Sequence, residues 1–177
     1  MVKFKDRPAF MAVVGNNERT LSYAEIDQKS RAFGAYLQSI GMKPGDKIGL
    51  MMPNLLQYPI ALYGALRAGL IVVNTNPLYT AREIEHQFND AGVTAVVIAE
   101  NFAHELQKCI GKTKVKHVIV ANIGEQFGGF KGWIINFVIR NIKKMVPKFS
   151  LPGSVKFKDC LKTVSYTHLR AHETKAN

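Results

Sequence analysis

Two histidines one helical turn apart, His168 and His172, stand beside Glu173 near the end of the chain. On a helix, that H-x-x-x-H spacing puts two imidazoles on one side, where both can reach one metal ion. No third ligand lies nearby in sequence, so such a site would hold metal weakly. Gly111-Lys112-Thr113 has the ending of a phosphate-cradling loop. That loop needs a further glycine five residues before Gly111, so that its backbone amides can wrap phosphate, and Leu106 stands there. The triplet also follows a helical pattern instead of lying between a strand and a helix. His86, His104 and His117 occur singly and read as surface or packing residues. Cys109 reads as a small core residue on a helix. Glu83, Glu85 and Asp6 have no partner at acid–base spacing, and the chain contains neither G-x-G-x-x-G nor G-x-S-x-G. No catalytic, cofactor-binding or metal-binding residue is assigned from the sequence.

The chain has 177 residues and a net charge of +11. Its charge is unevenly placed. Residues 1–107 carry 10 Lys/Arg and 10 Asp/Glu, whereas residues 108–162 carry 12 and 2, a balance of +10. A basic block of this kind implies an anionic partner surface. Two cysteines are too few for a disulfide framework, which points to a reducing cytoplasm. The greasiest region, Ile48 to Val73, is interrupted by Pro53, Asn54, Gln57, Pro59 and Arg67, so it does not read as a membrane span.

Short apolar runs alternate with helical patterns along residues 1–121. FMAVVGNNERTLSY reads as two strands around a Gly-Asn-Asn turn. Ser22 and Glu25 form a capping box, behind which Ile26, Phe33, Leu37 and Ile40 recur at helical spacing up to a stop at Gly41. DKIGLMM then reads as a buried strand and NLLQYPIALYGALRAG as a helix from near Asn54 to Gly69, with Pro59 in an early turn. LIVVNTN is a strand. A second capping box, Thr80 and Glu83, opens a helix that stops at Gly92. TAVVIAE, NFAHELQKCIG and KHVIVAN read as strand, helix and strand. Apolar runs without alternation suit strands covered on both faces, which predicts an α/β fold: an N-terminal β-hairpin, then parallel β-α-β units.

After Asn122 the pattern changes. IGEQFGGFKG reads as a glycine-rich loop. In FKGWIINFVIRNIKKMVPK, the residues Phe130, Trp133, Ile134, Phe137, Val138, Ile142 and Met145 share one helical stripe, with Lys131, Arg140, Lys143, Lys144 and Lys148 elsewhere. A basic amphipathic helix of this composition suits an anionic bilayer surface, with Phe130, Trp133, Phe137, Arg140, Lys143 and Lys144 as contact candidates. The competing reading packs the stripe on the sheet and leaves the lysines solvated; composition alone does not choose. Nucleic acid is not the expected partner, because no binding motif or aromatic platform interleaves with the charges.

The stretch MMPNLLQYPIALYGALRAGLIVVNTNPLYTAREIEHQFNDAG resembles the adenylate-forming acid–thiol ligases, and among them the bacterial long-chain fatty-acyl-CoA synthetases. The similarity runs from RPAF through NFVIRNIKKMVPKFSLPGSVKF, about residues 6–161. The resemblance implies a parent enzyme that joins a long-chain fatty acid to CoA through an acyl adenylate, using ATP, Mg²⁺ and CoA. It also implies a peripheral place on the inner face of the cytoplasmic membrane. The family's phosphate loop and later motifs have no counterpart here, so the chain alone is expected to be inactive and to bind these cofactors poorly. The expected organisation is a partial α/β subdomain over 1–121, the basic amphipathic insertion over 122–162, and a non-native tail over 163–177. TVSYTHLRAHET in that tail can be read as a translated sequencing adapter. Two alternatives stay open: another adenylate-forming ligase, or a non-catalytic α/β module that binds membranes.

Overall fold

The structure, a computed structural model, describes residues 4–162. The His168/His172 pair and the reading of 163–177 as a foreign tail lie outside those residues.

A hairpin comes first. β1 (Pro8–Val14) pairs antiparallel with β2 (Asn17–Ser22) around Gly15-Asn16, and Gly15 takes a φ of +60°. Ser22 ends β2 and caps α1 (Tyr23–Ser39): its hydroxyl accepts from the Glu25 N–H, and the Glu25 carboxylate accepts from the Ser22 N–H. This is the predicted capping box.

Five parallel strands follow in the order β4-β3-β5-β6-β7. They are β3 (Lys47–Met51), β4 (Ile71–Asn74), β5 (Val93–Ala99), β6 (His117–Ala121) and β7 (Val155–Lys156). Their lack of apolar/polar alternation has the expected cause. Ile48, Leu50, Ala95, Val97 and Ile119 point into one core with Phe33, Leu37 and Ile60, while Met51, Val96, Ile98, Val118 and Val120 point into a second with Ile84, Phe88 and Leu106. Both faces of the central strands β3, β5 and β6 are therefore dry. α1 and α2 (Gln57–Arg67) cover the first face; α3 (Ala81–Ala91) and α4 (Ala103–Cys109) cover the second.

α1 and α2 cross at two glycines. A Cβ at Gly34 would lie 2.8 Å from the Gly64 carbonyl oxygen, and one at Gly64 would lie 2.9 Å from the Ser30 carbonyl oxygen and 2.7 Å from the Phe33 ring. Asp27 of α1 adds a polar tie, accepting from Arg67 of α2 at 2.6 Å and from Arg31 at 3.1 Å.

Three elements differ from the sequence reading. α2 begins at Gln57, not near Asn54, because the Leu55 N–H bonds to Pro53 O and the Tyr58 N–H to Leu55 O in tight turns. Pro59 then occupies the third helical position, where a missing N–H costs no hydrogen bond. IGEQFGGFKG is not an open loop: Ile123–Phe127 form a 3₁₀ turn capped by Asn122 and Glu125. The helix expected to run up to Pro147 is shorter. α5 (Gly129–Phe137) passes into a π-helical turn over Val138–Ile142. Its end is closed by bonds from the Lys143 N–H to Val138 O and from the Met145 N–H to Ile139 O, with Lys144 at φ +50°. The segment beyond returns to the sheet as β7 and a short α6 (Phe157–Cys160), whose Phe157 is fully buried against Phe33.

Candidate functional site

In a parallel sheet all strand carboxyl ends share one edge. Here α2 and α3 leave that edge toward opposite faces, so the winding reverses between β3 and β5, the place where open α/β sheets bind ligands. The segments after β3 (Met52–Leu56), β5 (Glu100–Asn101) and β6 (Asn122–Gln126) meet at this edge, and α5 lies across them.

Three contacts hold α5 and its π turn there. Arg140 donates to Glu100 Oε2 from Nε at 2.9 Å and from Nη2 at 2.5 Å; the Glu100 side chain is 2% exposed and that of Arg140 45%. Asn101 Nδ2 donates to Met145 O at 2.9 Å. Gly124 and Gly132 bring two backbones together so closely that a Cβ on either would strike the other's carbonyl oxygen, and the Asn136 amide oxygen accepts from the Gly124 N–H at 2.8 Å.

This docking decides which stripe of α5 faces inward. Gly132, Ile135 and Ile139 are buried. Only part of the stripe noted in the sequence faces outward: Phe130, Trp133 and Phe137 are 73%, 60% and 46% exposed, whereas Ile134, Val138 and Met145 line a hollow on the inner side of the helix. The three rings stack in a row, with centroids 5.8 and 5.6 Å apart. Lys131, Lys143, Lys144 and Lys148 are exposed. Of the six contact candidates, the structure brings the three aromatic residues into one ladder, leaves Lys143 and Lys144 exposed, and commits Arg140 to Glu100. Packing of the whole stripe on the sheet is therefore not what the chain does.

Two hollows flank α5. One, of about 740 Å³, opens between the hairpin, the segment after β3 and the inner side of α5. Its walls are mostly apolar, and among the described residues that line it Lys143 is the only charged one. The other, of about 450 Å³, is polar and holds Glu125, Asn136, Arg140, Lys156 and Lys158. Glu125 accepts from Gln57 Nε2 at 3.4 Å and from the Asn122 N–H at 3.4 Å, while its Oε1 is buried with no hydrogen-bond partner among the described residues. Burial pushes its carboxyl up, against the bonds from Gln57 and Asn122 and the charge of Lys158.

A glutamate with a raised pKa is best accommodated neutral. Its unfolded form ionises in the ordinary range, so its stabilising share is present below that range and is lost as pH rises through the folded value. Glu125→Gln is therefore expected to gain stability over the native chain as pH goes from about 4 to about 7. Urea midpoints across that range test this. A difference that shrinks with rising pH would contradict it.

Sequence reasoning missed Glu125, Glu100 and Gln57. Asn122-x-x-Glu125 does carry a capping-box signal; Glu100 and Arg140, forty residues apart, leave none. Among the described residues no three His, Cys, Asp or Glu side chains group closely enough for a metal. Gly111-Lys112-Thr113 precedes β6, at the opposite edge of the sheet from the carboxyl ends.

The fold defines the class: a doubly wound parallel α/β unit with a hairpin in front and α5 over its carboxyl edge. The family model described as AMP-binding enzyme matches residues 1–131. The chain belongs to that family. It is 51% identical over 162 residues to the long-chain-fatty-acid–CoA ligase of Escherichia coli O6:H1, covering 91% of this chain and 28% of that protein. Identity to the ligase of the same name from Haemophilus influenzae is 49%, with the same shares covered. The chain thus spans about 28% of the length of the curated relatives it matches. Among solved structures, a long-chain-fatty-acid-CoA ligase from Archaeoglobus fulgidus superposes with a TM-score of 0.68 at 18% identity, over 93% of this chain and 28% of that one. An anthranilate CoA ligase in complex with anthranoyl-AMP gives 0.69 at 16%, over 93% and 26%. At such identities these two structures speak for the fold alone.

Proposed function

We propose that this chain is the first sheet unit of a long-chain fatty-acyl-CoA synthetase, which converts ATP, a long-chain fatty acid and CoA to acyl-CoA, AMP and pyrophosphate through an acyl adenylate. The observation that carries this is the 51% identity over 91% of the chain to a long-chain ligase. That match spans 162 residues, more than the 131 of the family model, whereas the 31% identity to a 4-coumarate-CoA ligase from Narcissus pseudonarcissus spans 113. This difference favours the long-chain reading over an aromatic-acid one. In the whole enzyme ATP with Mg²⁺ would supply the adenylyl group that activates the acid, and CoA the thiol that accepts the acyl group. The described residues do not fit them: the Gly111 triplet lies at the wrong edge and no metal-ligand group exists among them. The unit's contribution is a rigid sheet whose carboxyl edge carries the insertion. Residues 4–162 grafted in place of the matching segment of the Escherichia coli relative are expected to preserve long-chain acyl-CoA formation, while the 177-residue chain alone forms none. A folded chimera without activity would overturn the assignment.

The exposed ladder supports a second property, peripheral attachment to the anionic inner face of the membrane. Stacked Phe130, Trp133 and Phe137 offer an apolar ridge, and the exposed Lys143 and Lys144 offer cations on the segment that follows the helix. Among the described residues no helix is long and apolar enough to cross a membrane. Trp133, the sole tryptophan, reports insertion directly. Its emission should shift to the blue with phosphatidylglycerol vesicles and not with phosphatidylcholine vesicles. Trp133→Ala with Phe137→Ala should weaken sedimentation with the anionic vesicles by roughly tenfold or more, since each buried aromatic ring is worth about 1.5–3 kcal/mol. Unchanged binding by the double variant would end the membrane reading.

A further inference from the structure

The polar hollow beside α5 has no role in the reading so far. At about 450 Å³ it lies within the roughly 300–1,000 Å³ range of small-molecule sites. Three cations from three elements line it: Arg140 on the π turn, Lys156 on β7 and Lys158 on α6. Lys156 and Lys158 are exposed, and among the described residues neither ammonium group enters a salt bridge. Arg140 uses Nε and Nη2 on Glu100, which leaves Nη1 without a bond among the described residues. Glu125 is the one carboxylate among the described residues that line the hollow. Burial pushes its carboxyl up, so it opposes an anion less than an exposed carboxylate would. Trp133 and Phe137, two of the three rings of the outward ladder, form the aromatic wall. The cationic hollow and the exposed ladder are thus continuous.

We infer that this hollow takes the phosphodiester of one anionic glycerophospholipid, with Lys156 and Lys158 on the phosphate oxygens and the lipid's acyl chains against Trp133 and Phe137. The occupant follows from charge complementarity and from that continuity. Ammonium and guanidinium groups make charge-assisted hydrogen bonds to phosphate oxygens. A soluble phosphate would satisfy the cations and leave the ring wall bare. A zwitterionic headgroup would bring its own cation among the three already present. The inference rests on the reading of the ladder as a membrane contact. It adds a single built headgroup site, supplied partly by the segment that returns to the sheet, where lysines alone would give only diffuse attraction to an anionic surface.

Monomeric dihexanoyl phosphatidylglycerol, added to the 177-residue chain below its micellar concentration, tests this without vesicles. The emission change of Trp133 should saturate with a single lipid bound per chain, and dihexanoyl phosphatidylcholine should bind far more weakly. Lys156→Gln with Lys158→Gln should weaken phosphatidylglycerol by roughly tenfold or more. Lys114→Gln with Lys116→Gln removes the same charge ahead of β6, at the opposite edge of the sheet, and should change binding by less than about twofold. All four lysines are exposed, so the urea midpoints of both double variants should match that of the native chain. Equal losses in the two double variants would overturn the inference, since general charge would then explain the binding. Inorganic phosphate or CoA bound as tightly as the lipid, and dependent on Lys156 and Lys158, would also overturn it and assign the hollow to a soluble phosphate. The two membrane statements fail separately. Vesicle binding that needs Trp133 and Phe137 but ignores Lys156→Gln with Lys158→Gln would remove the headgroup site and leave the ladder reading standing. Monomeric lipid bound through both lysines, without vesicle binding, would do the reverse.

Discussion

A Gly64→Val chain is expected to lose most of its stability, and Gly64→Ala a substantial part of it. On an exposed helix, glycine to alanine gains about 1 kcal/mol from propensity alone. Here the sign reverses. The new Cβ would stand 2.9 Å from the Ser30 carbonyl oxygen and 2.7 Å from the Phe33 ring. The first is backbone of α1. The second is a ring at 0% exposure, stacked on Tyr36 and packed on Phe157, with nowhere to turn. Overpacking of this kind costs about 1–3 kcal/mol for a methyl group and more for a branched side chain, against a total stability of about 5–15 kcal/mol. With a urea slope of about 2 kcal/mol per molar, the midpoint of Gly64→Ala should fall by about 1 M, and Gly64→Val should fail to show a native baseline. Gly111→Ala is the control, since a Cβ there meets nothing within 4 Å and the midpoint should not move. A Gly64→Ala chain as stable as the native one would mean that α1 and α2 are not in the close contact described.

That contact could not be read from the sequence, and the reason is general. Signals that act within a few residues were legible: Ser22 with Glu25, the left-handed Gly92 closing α3, and the apolar runs of β3, β5 and β6. Each is a local balance of hydrogen bonds or burial. Gly34 and Gly64 are thirty residues apart, and each alone looks like an ordinary weak point in a helix. Glu100 and Arg140 likewise carry no mutual mark. The segment around α5 shows a subtler limit. Its helix is apolar on two stripes, Phe130-Trp133-Phe137 and Gly132-Ile135-Ile139, and periodicity cannot say which one is covered. The choice is made by Gly124, whose backbone accepts only a glycine opposite. Gly132 must therefore face inward, and the aromatic residues are turned out.

The same glycine makes the second large prediction. Gly132→Val is expected to detach α5 from the carboxyl edge while the five-stranded sheet stays folded. The substituted side chain would be driven into the Gly124 carbonyl, and two backbones cannot yield as a flexible side chain can. The effect is confined because the sheet's two cores are filled mainly by α1 to α4, the strands and α6, with Ile135 and Ile139 outside both. Trypsin should then cut rapidly after Lys131 and Arg140, far-UV dichroism should change little, and the thermal transition of the sheet should persist. Arg140→Met gives the comparison. It keeps an unbranched stem but leaves the Glu100 carboxylate, 2% exposed, without its cation, a loss of about 2 kcal/mol once the 45% exposure of Arg140 is allowed for. That variant should loosen α5 partway, with intermediate cleavage. Because the aromatic ladder rides on the outer side of this helix, Gly132→Val should also abolish the vesicle-induced shift of Trp133, although every membrane-contact candidate is still present. If the shift survives in a chain whose α5 is cut freely by trypsin, the helix binds lipid as an independent segment, and its docking on the sheet contributes nothing to attachment.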